Sequence, residues 1–222
     1  MSKWWFEKTK HIVENHFLFG YKEYMIVKKA DPIKLEFIVR GYITGSTNTS
    51  IWTMYKNGSR NMYGLQFRDG YKKNDKLDQI ILTPTTKDHD DRPISREQII
   101  NEGYLTVKDY DFIETKAKEL FLYGQQISNS KGLILVDTKY EFGRLQNGQI
   151  ILIDELHTCD SSRYWIHSDE YIFEPQKMDK DVIRDWISCR CDPYKDPIPR
   201  IPSSLISTVS NVYQKYKEFF YS

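Results

Sequence analysis

Only three cysteines, Cys159, Cys189 and Cys191, occur in the 222-residue sequence. Their odd number and their spacing match neither a disulfide framework nor a four-ligand zinc site, so reduced thiols are expected. An excess of charge of one sign is also missing: 32 Lys and Arg stand against 31 Asp and Glu, a formal charge of +1. That balance gives no bulk pull towards nucleic acid, membrane or acidic partners. No apolar run comes near the ~20 residues needed to cross a bilayer; a long one here is Ile150-Ile151-Leu152-Ile153. The first residues, Met1-Ser2-Lys3-Trp4-Trp5-Phe6-Glu7, lack a basic region followed by an apolar core, so no secretory signal is read and a cytoplasmic location is expected. Repeats and low-complexity tracts are absent too. What remains, 40% hydrophobic and 28% charged residues, is the composition of a globular protein.

Helical spacing of Trp5, Thr9, Ile12, Val13 and His16 predicts a surface helix over about the first fifteen residues. Tyr24 to Lys28 and Leu35 to Ile43 read as strands, the second with Leu35, Phe37 and Val39 on one face and Glu36, Ile38, Arg40 and Tyr42 on the other. Turn signals fill residues 41–78, where loops and short strands are expected, and Ile80-Ile81-Leu82 offers another short strand. Ser95 with Gln98 has the spacing of a capping box, and Thr106 opens a helix predicted over 107–129. Val182, Ile183, Trp186 and Ile187 predict one further helix, and Leu205 to Phe220 a last one entered after Pro202-Ser203. Strands and helices without a strict alternation argue for an α+β fold.

Chemistry gathers on Gly132 to Glu155, which reads as a β-hairpin on Asn147-Gly148. A two-residue turn would set Gln146 against Gln149 and Glu141 against Asp154. Two carboxylates so opposed repel each other and call for a counter-charge. Asp137, Lys139 and Glu141 share a face, so Lys139 supplies one, and a divalent cation such as Mg²⁺, which takes carboxylate and phosphate oxygens, would supply the remainder. The plainer alternative is a hairpin turning a charged face to water; a three-residue loop would shift the register and part the two acids. Arg40 ahead of Gly41-Tyr42-Ile43-Thr44-Gly45-Ser46 is either a phosphate cradle or one end of a Glu36–Arg40 ion pair beside a turn. Lys87, His89 and Asp90 fall in a loop that either contacts substrate or is simply solvated. A basic stretch from Lys56 to Lys76 matches no nucleic-acid module.

Four stretches together resemble the SAICAR synthetase family: Leu35-Glu36-Phe37-Ile38-Val39-Arg40-Gly41-Tyr42-Ile43-Thr44-Gly45-Ser46, Leu82-Thr83-Pro84-Thr85-Thr86-Lys87, Val136-Asp137-Thr138-Lys139-Tyr140-Glu141-Phe142-Gly143, and Ile153-Asp154-Glu155 continuing to Asp160-Ser161-Ser162-Arg163-Tyr164-Trp165. The resemblance implies a two-lobed α+β fold with an ATP-grasp-like nucleotide cleft. It also implies ATP-dependent ligation of L-aspartate to carboxyaminoimidazole ribonucleotide, through an acyl phosphate, with no nucleic-acid or membrane partner. Carried over by position, Glu141 and Asp154 are implied Mg²⁺-ATP ligands, Lys139 and Asp137 catalytic groups, and Arg40, Ser46 and Arg163 holders of the ribonucleotide phosphate. Asp160 is placed at the aminoimidazole end, Lys87, His89 and Asp90 in the substrate loop, and Met25, Val27, Lys29 and Glu36 with the ATP. The family's Gly-rich N-terminal lobe, which covers the ATP phosphates, has no counterpart in this sequence. Residues 1–28 are therefore expected to be the remnant of that lobe with its hinge strand, and residues 29–222 the substrate-binding domain. The alternatives that follow are a lobe supplied in trans, self-association, one half of a split enzyme, or a nucleotide-binding remnant. Cys159 stands where the family usually has proline, and Lys34 likewise.

Overall fold

The computed structural model describes residues 1–22, 24–47, 50–87, 91–166, 175–193 and 195–221. In chain order the elements are α1 (Ser2–Thr9), β1 (Phe17–Tyr21), β2 (Tyr24–Val27), β3 (Asp31–Pro32), β4 (Leu35–Tyr42), α2 (Ile51–Lys56), β5 (Asn61–Met62), β6 (Leu65–Gln66) and β7 (Lys76–Thr86). They continue with α3 (Arg96–Asn101), α4 (Val107–Ser130), β8 (Leu133–Arg144), β9 (Ile150–Ile153), β10 (Ser162–Ile166), α5 (Asp181–Ser188) and α6 (Ser203–Tyr221). An antiparallel sheet in the order β10-β8-β4-β7 is the frame, and β3 and β9 pair with the far half of β8.

Alternation makes this sheet two-faced. Leu35, Phe37 and Val39 of β4 and Tyr140 and Phe142 of β8 are fully buried, and α4 covers them with Ile113, Ala117, Leu120 and Phe121 at the spacing of one helical stripe. Trp5 and Phe6 of α1 and Tyr216 and Phe220 of α6 join the same core. A smaller cluster of Ile43, Ile51, Tyr55, Met62, Phe67, Tyr71, Leu77 and Ile81 lies under the 43–81 segment. Pro84 sits within β7 at no cost to the sheet's pairing, because β7 is an outer strand.

Helix α4 starts on the Thr106 cap, whose Oγ1 accepts from the Asp109 N–H at 3.1 Å, and Ser95 with Gln98 forms the expected capping box on α3. Three expectations change. The first helix ends at Thr9, so Val13 and His16 reach the core from turns rather than from a continuing helix. Ile51–Lys56, expected as loop, is helical on a Ser50 cap. The β8–β9 loop holds three residues between Leu145 and Gln149, whose N–H and C=O bond at 2.9 Å, so Glu141 faces Ile153 and not Asp154.

At the other extreme of packing is the β1–β2 ribbon, paired through Phe19–Ile26, Gly20–Met25 and Tyr21–Tyr24. Among the described residues no third strand joins it. Leu18, Phe19, Tyr21, Tyr24 and Ile26 are each 45–64% exposed. Among the described residues no helix is long and apolar enough to cross a membrane.

Candidate functional site

Opposite the α4-covered core, the polar face of the sheet carries a row of charges set by register. Arg40 of β4 stands against Asp137 of β8, and Asp137 stands against Arg163 of β10. Directly opposed residues share a face, so one carboxylate is flanked by two guanidinium groups. Arg40 Nη1 donates to Asp137 Oδ2 at 3.0 Å and Arg163 Nη1 donates to the same oxygen at 2.7 Å. Thr83 of β7 takes the Arg40 Nε–H at 2.9 Å, and Asp181 takes the Arg163 Nε–H at 2.6 Å. The Glu36–Arg40 pair therefore does not form. Burial opposes charge on Arg163, yet Asp137 and Asp181 outweigh it and push its pKa up. Asp137, expected as a catalytic group, is buried between the arginines and orients both.

Two residues along the strands, Lys139 opposes Ile38 and gathers carboxylates. Its Nζ lies 2.6 Å from Glu141, 3.2 Å from Asp154 and 3.3 Å from Glu36, and Lys87 also pairs with Glu141. Burial disfavours the ammonium, but these acids raise the Lys139 pKa above the ordinary lysine value. For Glu141 burial pulls the other way and is overcome, so Lys139 and Lys87 hold it below the usual carboxylate range. The slipped hairpin register does not part the acids. Asp154 takes the left-handed conformation at φ +67° just beyond β9, and its side chain still reaches Lys139.

Between Asp154 and Arg163 the chain is pinned from inside by His157. Its Nε2 lies 2.6 Å from the Tyr140 hydroxyl, its ring meets Trp5 edge-on at 4.6 Å, and its carbonyl accepts from the Tyr164 hydroxyl at 2.8 Å and from that of Tyr216. Gly124 of α4 makes room, since a Cβ there would come within 2.5 Å of the ring. Burial drives the imidazole pKa down to about 3. On the outer side Thr158 Oγ1 accepts from the N–H of Asp160 and of Ser161 and donates to Glu155.

A cleft of about 180 Å³ follows these charges, lined by Arg40, Asp137, Lys139, Asp160, Arg163 and also Lys180, Asp181 and Arg184. The last three escaped the sequence reading, although an acidic-basic-acidic run just ahead of the Val182–Ile187 periodicity is a helix-start signal. Asp179 beside them has its pKa raised to about 7 by burial and the charge of Asp181. A larger cavity of about 560 Å³ lies over Ile80 and Tyr110, and its Lys118, Glu114 and Arg96 are already paired at the surface, the last with Asp111; converging buried charge marks the smaller cleft as the site. Ser46 is exposed on the loop after β4, and Glu36 lies with Lys139. Met25, Val27 and Lys29 lie on or next to the ribbon, and the last two are exposed. His89 and Asp90 lie outside the described residues. All three cysteines are free thiols.

Mg²⁺ accepts hard oxygen donors and commonly takes one or two carboxylates plus substrate phosphates. Among the described residues no cluster of three or more protein ligands forms. Glu141 and Asp154, already converging on one cation, fit Mg²⁺.

The α+β sheet thus turns Arg40, Arg163 and Lys139 into one cleft, with the carboxylates of Glu36, Glu141 and Asp154 paired to Lys139 beside it. The family model described as SAICAR synthetase matches residues 1–201. A phosphoribosylaminoimidazole-succinocarboxamide synthase of Legionella pneumophila is 46% identical over 220 residues, covering 96% of this chain and 70% of the relative. The SAICAR synthase of Saccharomyces cerevisiae, solved in complex with SAICAR, superposes with a TM-score of 0.78 at 28% identity, over 98% of this chain and 78% of that one. A SAICAR synthetase solved in complex with ADP shares the fold, with a TM-score of 0.71 at 23% identity over 99% of this chain and 77% of that one. The chain belongs to the SAICAR synthetase family, ligases of purine biosynthesis.

Proposed function

We propose that the protein joins L-aspartate to carboxyaminoimidazole ribonucleotide at the expense of ATP, giving SAICAR, ADP and phosphate. The observation that carries the reading is the adjacency of two charge sets along the same strands: an arginine pair on Asp137 suited to a phosphate, and, two residues on, Lys139 with carboxylates suited to Mg²⁺-ATP. An ADP complex of a related fold and a SAICAR complex of a 28% identical one add support.

In this reading Arg40 and Arg163 fork onto the ribonucleotide phosphate with Ser46, Asp137 holds both forks, and Asp160 faces the aminoimidazole. Lys87, with His89 and Asp90, forms the substrate loop. Glu141 and Asp154 would hold Mg²⁺ on the nucleotide, and the bound ion would offset the negative charge of the ATP phosphates. A carboxylate oxygen of the ribonucleotide attacks the γ-phosphorus of ATP while its bond to the ADP oxygen breaks. The amine of aspartate then attacks the acyl carbon, loses a proton, and phosphate leaves. Lys139, kept charged, lies where the transferred phosphoryl group passes, so the protein works chiefly by positioning and charge. Met25, Val27 and Lys29 would border the adenine, and Glu36 would share the charged end of the nucleotide site. Reactants of this kind are consistent with a cytoplasmic location.

Residues 29–222 carry the charged part of this site, and residues 1–28 end in the exposed ribbon that would bring Met25 and Val27 to the adenine. An unsupported two-stranded ribbon is marginal in water, which favours a second reading: a further lobe, or another copy of the chain, covers the ribbon and completes the nucleotide site. A product assay with ATP, Mg²⁺, aspartate and the carboxylated ribonucleotide decides. Turnover abolished by Asp154→Asn supports the complete ligase. Ribonucleotide binding by calorimetry without turnover supports the half-site or binding remnant, and neither binding nor turnover sinks both readings.

A further inference from the structure

Asp160 reaches the cleft from an exposed turn. Its side chain is 59% exposed and pairs with Lys180 Nζ at 3.5 Å, a contact that does little to fix an acid at the surface. Asp137, by contrast, is buried between two arginines. The place of Asp160 is therefore set by its backbone, and that backbone is tied by a neighbouring side chain.

Thr158 Oγ1 accepts from the Asp160 N–H at 3.2 Å and from the Ser161 N–H at 3.1 Å, and donates its own hydrogen to Glu155 Oε2 at 2.5 Å. A hydroxyl offers one hydrogen and two lone pairs, so all three are engaged. Among the described residues the Asp160 N–H has one partner, this hydroxyl. On either side the chain is anchored elsewhere: the Ser161 carbonyl accepts from the Lys139 N–H at 3.0 Å, and the Cys159 carbonyl from the Lys180 N–H at 3.2 Å. The turn is thus docked on β8 at Lys139 and on the segment entering α5, with Asp160 between the two anchors and Thr158 holding its N–H.

We propose that Thr158 is a positioning residue whose hydroxyl holds Asp160 against the base of the ribonucleotide. This rests on the assignment of the aminoimidazole to Asp160 in the ligase reading. A hydroxyl that only closed the turn, as serine and threonine commonly do, would affect stability without distinguishing the ribonucleotide from its bare ribose phosphate.

Calorimetry with the carboxylated ribonucleotide and with ribose 5-phosphate, without ATP or metal, separates the base contact from the phosphate contact. Thr158→Val keeps the branched shape and removes the hydroxyl. It should weaken ribonucleotide binding about three- to tenfold and leave ribose 5-phosphate within about twofold, as loss of one hydrogen bond behind a binding group requires. Thr158→Ser should bind both as the wild type does. Asp160→Ala sets the ceiling: in the double variant Thr158→Val should add nothing to it, because a residue acting through another is not additive with it. In turnover the ribonucleotide KM should rise by the same factor while the KM for ATP holds. Equal losses for the two ligands, no loss for either, additive losses in the double variant, or failure of Thr158→Ser to retain binding each overturn the proposal. If Asp160→Ala leaves ribonucleotide binding unchanged, the assignment of the base to Asp160 falls and the proposal with it, even where the wild type turns over. If the wild type makes no product yet shows the non-additive loss, the ligase reading falls and the role of Thr158 stands. A wild type that does not bind the ribonucleotide sinks both.

Discussion

On the site face of β4, β8 and β10, charged side chains are buried; on β1 and β2, large apolar side chains are exposed. Both reverse the usual partition, for different reasons. Arg40, Asp137, Arg163 and Asp181 each find an opposite charge on a neighbouring strand or helix, so burial is matched by close pairing. The ribbon has no third strand and no cover on its outer residues among those described. The comparison teaches that the charge row finds its partners within this chain, whereas the ribbon's apolar side chains are uncovered among the described residues. The first can be taken apart by substitution in the chain alone; the second changes its meaning only when something binds.

The largest expected effect comes from breaking the row. Arg163→Met leaves Asp137 with Arg40 alone and Asp181 with only the more exposed Arg184, and should cost about 3–5 kcal/mol of unfolding free energy, read by urea denaturation. If the loss is under about 1 kcal/mol, the buried charges are less dependent on one another than their geometry requires. Next is Lys139→Met, expected to lower turnover by roughly a hundredfold or more while ribose 5-phosphate binding survives. A smaller effect concerns acid. His157 has an ordinary pKa of 6.5 and is held at about 3 in the fold, so the unfolded chain binds the proton first. Its contribution to stability is complete above pH 6.5 and declines as pH falls from there towards 3. Asp179, raised to about 7, has the opposite slope, its contribution declining as pH rises through 7. The difference between wild type and His157→Gln isolates the imidazole, and urea midpoints of the two should converge as pH is lowered from 7 to 4. The smallest effect is on the ribbon: Phe19→Ser with Ile26→Ser should shift stability by less than about 0.5 kcal/mol per site while lowering binding of an apolar dye. A larger loss would mean the ribbon is already covered.

Much of this was legible in the sequence where one local rule decided the outcome. The capping spacing of Ser95 with Gln98, the Thr106 start of α4 and the alternation of Leu35 to Tyr42 all hold in the structure. Arg40, Asp137, Lys139, Glu141, Asp154 and Arg163 do converge. Rules that turn on a single residue failed: one extra residue in the β8–β9 loop changed the register, because Asn-Gly serves three-residue loops as well as two-residue ones. The acids meet all the same through the left-handed Asp154, a backbone choice no periodicity encodes. β10 and α2 were missed since both are short and take their stability from packing rather than from propensity. Lys180 and Arg184 reach the cleft only by tertiary folding of α5 against it.

The pin at His157 has a consequence for the order in which the protein is made. Its partners stand at positions 5, 140, 164 and 216, and the last lies 59 residues further along. A ribosome adding about 5–20 residues per second delivers Asp154, Asp160 and Arg163 several seconds before Tyr216 can close over the turn that spaces them. The nascent chain therefore has its sheet before it has a fixed site, and a polypeptide halted ahead of α6 carries every charge of the cleft without the hydroxyl that locks their separation.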